Sequence, residues 1–142
     1  MGKKIISMVF WGLLAFVILA WSTEEDLEKK KAYVDITAQQ LNKMLEEKDF
    51  TLINVHIPYD GEIPQTDLFI PYNEIEENAD RLPQEKNAKI VIYCRSDKMS
   101  NIASMTLVEM GYTNVLNLKG GMRAWKEAGY VLIHKEEKDK NY

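Results

Sequence analysis

A single cysteine, at position 94, is the residue of this 142-residue chain best suited to nucleophilic chemistry. It follows the apolar run IVIY at 90–93, and the polar run RSDKM separates it from a serine at position 100. A thiol between a buried strand and a helix faces unpaired backbone N–H groups and the positive end of the helix dipole. Such surroundings favour the reactive thiolate. Cys94 is therefore the candidate catalytic residue, and the alternative is a small buried core residue.

The residues that follow the cysteine are the candidate substrate-binding residues. They are Arg95, Ser96, Asp97, Lys98, Met99 and Ser100. Arg95 and Lys98 add positive charge beside the thiol, and Asp97 opposes them. Ser100 is a residue type that caps helix N-termini, so we expect a helix to begin there.

The counts of the other reactive residues exclude several classes of function. One cysteine cannot form an intramolecular disulfide, a Cys-x-x-Cys redox pair or a multi-cysteine metal cluster. The two histidines, His56 and His134, argue against zinc. The chain after residue 21 has a net charge of −6, which argues against nucleic acid as a partner. We therefore expect no metal and no nucleic acid.

The amino-terminal residues 1–22 are expected to form a signal peptide or a membrane anchor. Two lysines precede an apolar run at 5–21, which would span about 25 Å as a helix and is near the lower limit for crossing a bilayer. An uncleaved run would anchor the protein in the cell membrane as a single span, with the domain on the extracytoplasmic side. Cleavage near Ser22 would instead release a periplasmic or secreted domain. A buried core helix is a poorer interpretation because this run has no polar face.

The remainder of the chain divides into a short charged segment, one domain and a charged end. Residues 23–31 are rich in acidic residues and lysines, which is typical of a solvated tether. Residues 32–133 have the apolar content of one small domain. Residues 134–142 are again charged, and we expect this tail to be disordered.

Strands and helices alternate along the domain. The spacing of Thr37 and Gln40 predicts a capping box at the start of a helix. Strands are expected at 52–55, 90–93 and 115–118, helices at 73–81, 100–110 and 122–128, and an irregular loop at 57–71. This alternation predicts an α/β fold with a parallel sheet. Ligands bind outside the carboxyl ends of the strands in such sheets, and Cys94 lies at one of those ends.

Residues 33–132 resemble the rhodanese-like domains. The most specific part is GYTNVLNLKGGMRAWKEAG at 111–129, which resembles the carboxyl-terminal signature of that family. IVIYCRS at 90–96 resembles its strand and active-site loop, and TAQQL at 37–41 with LINV at 52–55 resembles its opening helix and second strand. Gly120 and Gly121 would permit the turn into the last helix, and Trp125 would be a core anchor.

The resemblance implies a five-stranded parallel sheet with helices on both faces. It also implies sulfurtransferase chemistry, in which a sulfane sulfur moves from thiosulfate, a persulfide or a polysulfide to a thiol acceptor through a persulfide on Cys94. This chemistry requires no metal and no organic cofactor.

Several residues depart from the pattern of the family. The usual loop resembles Cys-x-x-Gly-x-Arg-Ser, and here Asp97 takes the glycine position and Met99 the arginine position. Asp97 matters if the backbone there needs a positive φ. Met99 cannot hold an anionic donor as a guanidinium would, which favours a persulfide or polysulfide over thiosulfate. His56 lies where the family often has arginine, and it is either a weak base or donor near the site or a partly exposed histidine without a role.

Three functions remain open. The first is an active extracytoplasmic sulfurtransferase. The second is a non-catalytic module of the same fold that binds or carries sulfur, or docks on a protein partner. The third, a phosphatase or arsenate reductase, would need an arginine six residues after the cysteine, and position 100 is serine.

Overall fold

The computed structural model describes residues 32–136. The predicted signal peptide or anchor, the tether and residues 137–142 lie outside the described residues. None of the helices within 32–136 has the length and apolar character needed to cross a membrane.

The described chain contains five strands and three α-helices. In chain order they are β1 (Val34–Ile36), α1 (Ala38–Glu46), β2 (Thr51–Asn54), β3 (Leu68–Phe69), β4 (Ile90–Tyr93), α2 (Lys98–Glu109), β5 (Val115–Leu118) and α3 (Gly121–Glu127). The strands form one parallel sheet in the order β1-β5-β4-β2-β3. The predicted five-stranded parallel sheet is therefore confirmed.

Alternate residues of the central strand β4 face opposite layers of the domain. Ile90 and Ile92 pack in a cluster with α2, whereas Val91 and Tyr93 pack in a second cluster with α1 and α3. All four side chains are fully buried, as expected for a strand covered on both faces. Helices therefore lie on both faces of the sheet, which confirms the second part of the predicted architecture.

Local sequence signals determine where several elements begin and end. The Thr37 hydroxyl accepts a hydrogen bond from the Gln40 N–H at 3.1 Å, and the Gln40 side chain accepts one from the Thr37 N–H at 2.8 Å, which confirms the capping box. Trp125 is 3% exposed and donates its indole N–H to the carbonyl of Val131 at 2.9 Å, so its prediction as a core anchor is also confirmed.

The structure differs from the sequence-based expectation at two segments. Residues 57–71, expected to be irregular, contain β3, which is only two residues long and pairs with the end of β2. Residues 73–81, expected to be helical, consist of turns and a single 3-10 turn at Ala79–Arg81. Ile75 is the one fully buried side chain of that segment, so a helix there would lack an apolar face to pack.

The end of the described chain packs on the loop after β2. Ile133 and Glu62 exchange backbone hydrogen bonds of 2.8 and 2.9 Å, and the Lys135 N–H donates to the Tyr59 hydroxyl at 3.1 Å. Ile133 and Lys135 are therefore both in contact with this loop.

Candidate active site

Cys94 lies at the carboxyl edge of the sheet, immediately after β4. Its side chain is only 2% exposed. The thiol donates to the Ser100 hydroxyl, with 3.5 Å between sulfur and oxygen, and this hydroxyl in turn donates to the carbonyl of Asp97 at 3.1 Å. The segment 94–100, called the cysteine loop below, thus curves around the sulfur and runs into the first turn of α2.

The helix after the thiol begins earlier than the sequence suggested. Asp97, not Ser100, is the N-cap residue of α2, and Ser100 lies within its first turn. The N–H groups of the first turn of a helix have no partner inside that helix. Within the described residues, no N–H group from Arg95 to Ser100 donates a backbone hydrogen bond. The cysteine loop therefore offers several unpaired N–H donors next to the thiol.

The glycine turn, Gly120 and Gly121, holds the cysteine loop in place. A Cβ atom on Gly121 would overlap the carbonyl oxygen of Cys94 and lie 2.9 Å from the nitrogen of Ser96, so only glycine fits. The next N–H group, of Met122, donates to the Cys94 carbonyl at 2.9 Å. This backbone-to-backbone contact fixes the direction in which the chain leaves β4.

The Asp97 side chain ties the two segments together. Its carboxylate accepts a hydrogen bond from the Gly120 N–H at 2.9 Å. Its backbone φ is −150°, so the position that is glycine in the resembling family needs no left-handed conformation here. The carboxylate of Asp97, a candidate substrate-binding residue, thus contacts the glycine turn.

The other side chains of the cysteine loop divide into an apolar and a charged set. Met99 is partly buried and packs against the core cluster that contains Cys94. Arg95 and Lys98 are exposed, and Ser96 is half-buried. The core cluster of Cys94, with Met99 packed on it, is called the inner wall below; it is apolar, and the two exposed cations lie outside it.

His56 follows β2 and is 6% exposed, so the interpretation as a partly exposed loop histidine is wrong. Its backbone N–H donates to the side-chain oxygen of Asn54 at 3.0 Å. Burial and, secondly, the charge of Arg95 lower the pKa of His56 below its ordinary value of 6.5, while Asp60 acts in the opposite direction. The electrostatic effect of Arg95 links His56 to the cysteine loop, and the neutral imidazole is the favoured form.

Sequence reasoning missed the polar contacts that fix the loop between β2 and β3. Tyr93, directly before Cys94, is fully buried, and its hydroxyl accepts from the Ile63 N–H at 3.0 Å and bonds to the Thr66 hydroxyl at 2.7 Å. Burial raises its pKa, so the hydroxyl keeps its proton. A tyrosine at the end of an apolar run gives only a weak signal of this role.

Glu62 is a second buried polar residue of that loop. Its side chain has no exposed surface, lies 3.0 Å from the Lys135 ammonium and accepts from the Tyr59 hydroxyl at 3.2 Å. Within residues 32–136, no three His, Cys, Asp or Glu side chains come together as metal ligands would.

Comparison with known proteins agrees with this geometry. Residues 37–128 match the family model described as the rhodanese-like domain, which is well over half of the chain. The chain therefore belongs to the rhodanese-like family.

Individual relatives are named for sulfur transfer. A protein of Allochromatium vinosum named sulfurtransferase is 32% identical over 106 residues, which cover 72% of this chain and 96% of the relative. The thiosulfate sulfurtransferase PspE of Escherichia coli is 36% identical over 70 residues, covering 48% of this chain and 67% of the relative. A solved rhodanese-like domain from Anabaena sp. superposes with a TM-score of 0.64 at 27% identity, covering 76% of this chain and 84% of that one.

The glycine turn gives a test of the site's architecture. We expect Gly121→Ala to reduce the free energy of unfolding by about 3 kcal/mol or more, because the new Cβ overlaps the Cys94 carbonyl and the residue has a positive φ. Gly129→Ala is the matched control, since Gly129 has a φ of +90° but nothing within 4 Å of the added atom. The control should lose only about 1–2 kcal/mol. Equal losses in urea unfolding would contradict the proposed contact.

The buried histidine predicts a pH dependence of stability. Because the pKa of His56 is lowered in the folded protein, the unfolded chain binds more protons as the pH falls through 6.5. We expect the free energy of unfolding to decrease between about pH 7 and pH 5, and to decrease less in His56→Gln. Urea midpoints across this range measure the effect, with His134→Gln reporting the contribution of the other histidine. If the free energy of unfolding depended on pH identically in wild type and His56→Gln, the contribution assigned to His56 would be refuted.

Proposed function

We propose that this protein is a sulfurtransferase that carries a sulfane sulfur as a persulfide on Cys94. The Cys94 thiolate attacks the outer sulfur of a donor. For a persulfide donor, the sulfur–sulfur bond of the donor breaks, its thiolate leaves, and the outer sulfur is now bonded to Cys94. A second thiolate then attacks that outer sulfur, forms a new sulfur–sulfur bond and releases Cys94 as a thiolate. The cycle is balanced without an oxidant or a reductant.

The surroundings of the Cys94 sulfur are the observation that carries this proposal. A thiol that is 2% exposed lies inside a loop whose N–H groups have no backbone partner in the described residues. Those groups and the dipole of the twelve-residue α2 favour a negative charge in the loop. A terminal persulfide sulfur would extend from Cys94 into this region. The Ser100 hydroxyl contacts the thiol and would become a further donor on rotating away from the Asp97 carbonyl.

The apolar inner wall supports a persulfide or polysulfide as the donor. Met99 packs beside the cluster of Cys94, at the position where a guanidinium would hold the sulfonate group of thiosulfate. A methionine thioether offers a soft, polarisable surface for sulfur but no positive charge. Arg95 and Lys98 are exposed, so an oxyanion at the sulfur would gain little from them.

A second candidate function is a sulfur carrier that does not turn over. The nearly complete burial of Cys94 favours it, because a small acceptor has little access to the sulfur in this conformation. The two functions share the loading step and differ in discharge. A carrier keeps its persulfide in the presence of cyanide or a small thiol, whereas a transferase gives it up.

We also propose that the domain works outside the cytoplasm, as the apolar run at 5–21 and the two preceding lysines suggest. The intact mass of the mature protein would distinguish a membrane anchor from a cleaved signal peptide, because an anchor retains residues 1–22 and a signal peptide is lost near Ser22. Recovery of the protein with an intact leader in the soluble cytoplasmic fraction would contradict both.

Sulfur loading tests the proposed function. We expect wild type incubated with polysulfide to gain one sulfur atom, about 32 Da, by intact-protein mass spectrometry. Since Cys94 is the only cysteine in the chain, Cys94→Ser should gain nothing. Loss of the added mass on treatment with cyanide or a thiol supports a transferase, and retention supports a carrier. A wild type that gains no sulfur from any donor would refute both functions.

The role of Met99 predicts a change of donor. We expect Met99→Arg to increase the rate of loading from thiosulfate by about tenfold, because a guanidinium would then face the oxyanion. Met105→Arg is the control, as Met105 lies farther along α2 and packs against the same cluster. Thiosulfate kinetics that are the same in wild type and Met99→Arg would remove the specificity role assigned to this position.

A further inference from the structure

Four exposed basic residues lie on the cysteine loop and on the glycine turn that contacts it. We call them the basic rim: Arg95, Lys98, Lys119 and Arg123. The first two lie in the cysteine loop, and the other two flank the glycine turn. Hydrogen bonds join the two segments, since the Arg123 N–H donates to the Arg95 carbonyl at 3.1 Å and the Gly120 N–H donates to Asp97 at 2.9 Å. The four charges therefore belong to one continuous surface.

The charges of the basic rim are not neutralised by ion pairs in the part of the domain that the structure describes. Within residues 32–136, none of the four side chains forms an ion pair. The nearby Asp97 carboxylate is half-buried on the glycine turn, and the exposed Asp60 lies close enough to influence His56. The rim keeps a net positive charge after both carboxylates are counted.

The rest of the domain has a net negative charge. The other basic residues between positions 32 and 136 number seven, against fourteen carboxylates besides Asp97 and Asp60. A basic partner would be attracted to many places on such a surface. An acidic partner would be repelled from most of it and attracted to the basic rim, so this distribution both steers and orients the encounter.

The position of the rim argues for a macromolecule over a small anion. Cys94 is 2% exposed and its inner wall includes Met99, so the four charges lie outside the space that a small donor would occupy beside the sulfur. A lipid surface with acidic headgroups would cover the entrance and bring no nucleophile. A protein thiol brings the nucleophile that sulfur transfer requires.

We infer that the sulfur acceptor is a protein whose cysteine lies on a protruding acidic segment that docks on the basic rim. The inference rests on the proposed function. In the transfer step, the partner thiolate attacks the outer sulfur of the Cys94 persulfide. A sulfur–sulfur bond forms on the partner, the bond to Cys94 breaks, and Cys94 leaves as a thiolate.

The test follows the discharge of persulfide-loaded, full-length protein to two short peptides. Each peptide has one cysteine, flanked by aspartates in the first and by lysines in the second. The protein variants are Lys119→Glu with Arg123→Glu, which reverses two rim charges outside the cysteine loop, and Lys43→Glu, which changes an exposed lysine on α1. Loading is measured first by mass, so that a failure of the proposed function is recognised before discharge begins.

Flanking charges also change the reactivity of the peptide thiol, so the informative quantity is the rate of each variant divided by that of wild type for the same peptide. We expect the double variant to discharge about tenfold more slowly to the aspartate peptide and no more slowly to the lysine peptide. The loss should shrink in about 0.5 M NaCl. Lys43→Glu should retain wild-type rates.

Three outcomes would overturn the inference while leaving the proposed function intact. They are equal losses for both peptides, an aspartate-peptide rate in the double variant that matches wild type, and a loss in Lys43→Glu as large as that of the double variant. Protein that loads sulfur but discharges at salt-independent rates to both peptides would likewise show that the rim does not select the acceptor.

Discussion

The close approach of Gly121 to the carbonyl of Cys94 is the contact on which the site depends. Backbone from the start of α3 lies directly against backbone from the end of β4, with the Met122 N–H bonded to Cys94 at 2.9 Å. A side chain at position 121 would separate the two segments. Main-chain contacts hold the loop, and the Asp97 carboxylate adds a hydrogen bond from the Gly120 N–H. The chain therefore keeps the loop in place with Asp97 and Met99 at positions where the pattern of the family has glycine and arginine.

Sequence patterns were sufficient to predict the parts of the fold that depend on local signals. The β-branched run of β4, the Thr37 capping box and the Trp125 anchor each lie where they were expected. Segments that depend on distant partners were not predictable in this way. β3 forms because two of its residues pair with the end of β2. Residues 73–81 do not form a helix because Ile75 is the one side chain among them that packs in the core.

The distinction between local sequence signals and distant contacts also holds within the site. The position of Cys94 after a strand, together with the paired glycines, identified the loop. The contact of the Asp97 carboxylate with Gly120 and the burial of His56 arise from the tertiary arrangement, and no local pattern indicates them. The resulting site has an apolar inner wall and a positively charged entrance. An uncharged Met99 and a group of exposed cations are therefore compatible, because they occupy different layers of the site. The domain as a whole is acidic, and its positive charge is concentrated at this entrance.

A structure of the persulfide-loaded protein tests the central claim most directly. That claim is that the cysteine loop, fixed by the glycine turn, holds the transferred sulfur on Cys94. The account predicts additional density on the Cys94 sulfur, directed into the loop and within hydrogen-bond distance of N–H groups between residues 95 and 100, with the contact to Gly121 unchanged. An added sulfur that points into solvent, or a loop displaced from Gly121 on loading, would contradict it.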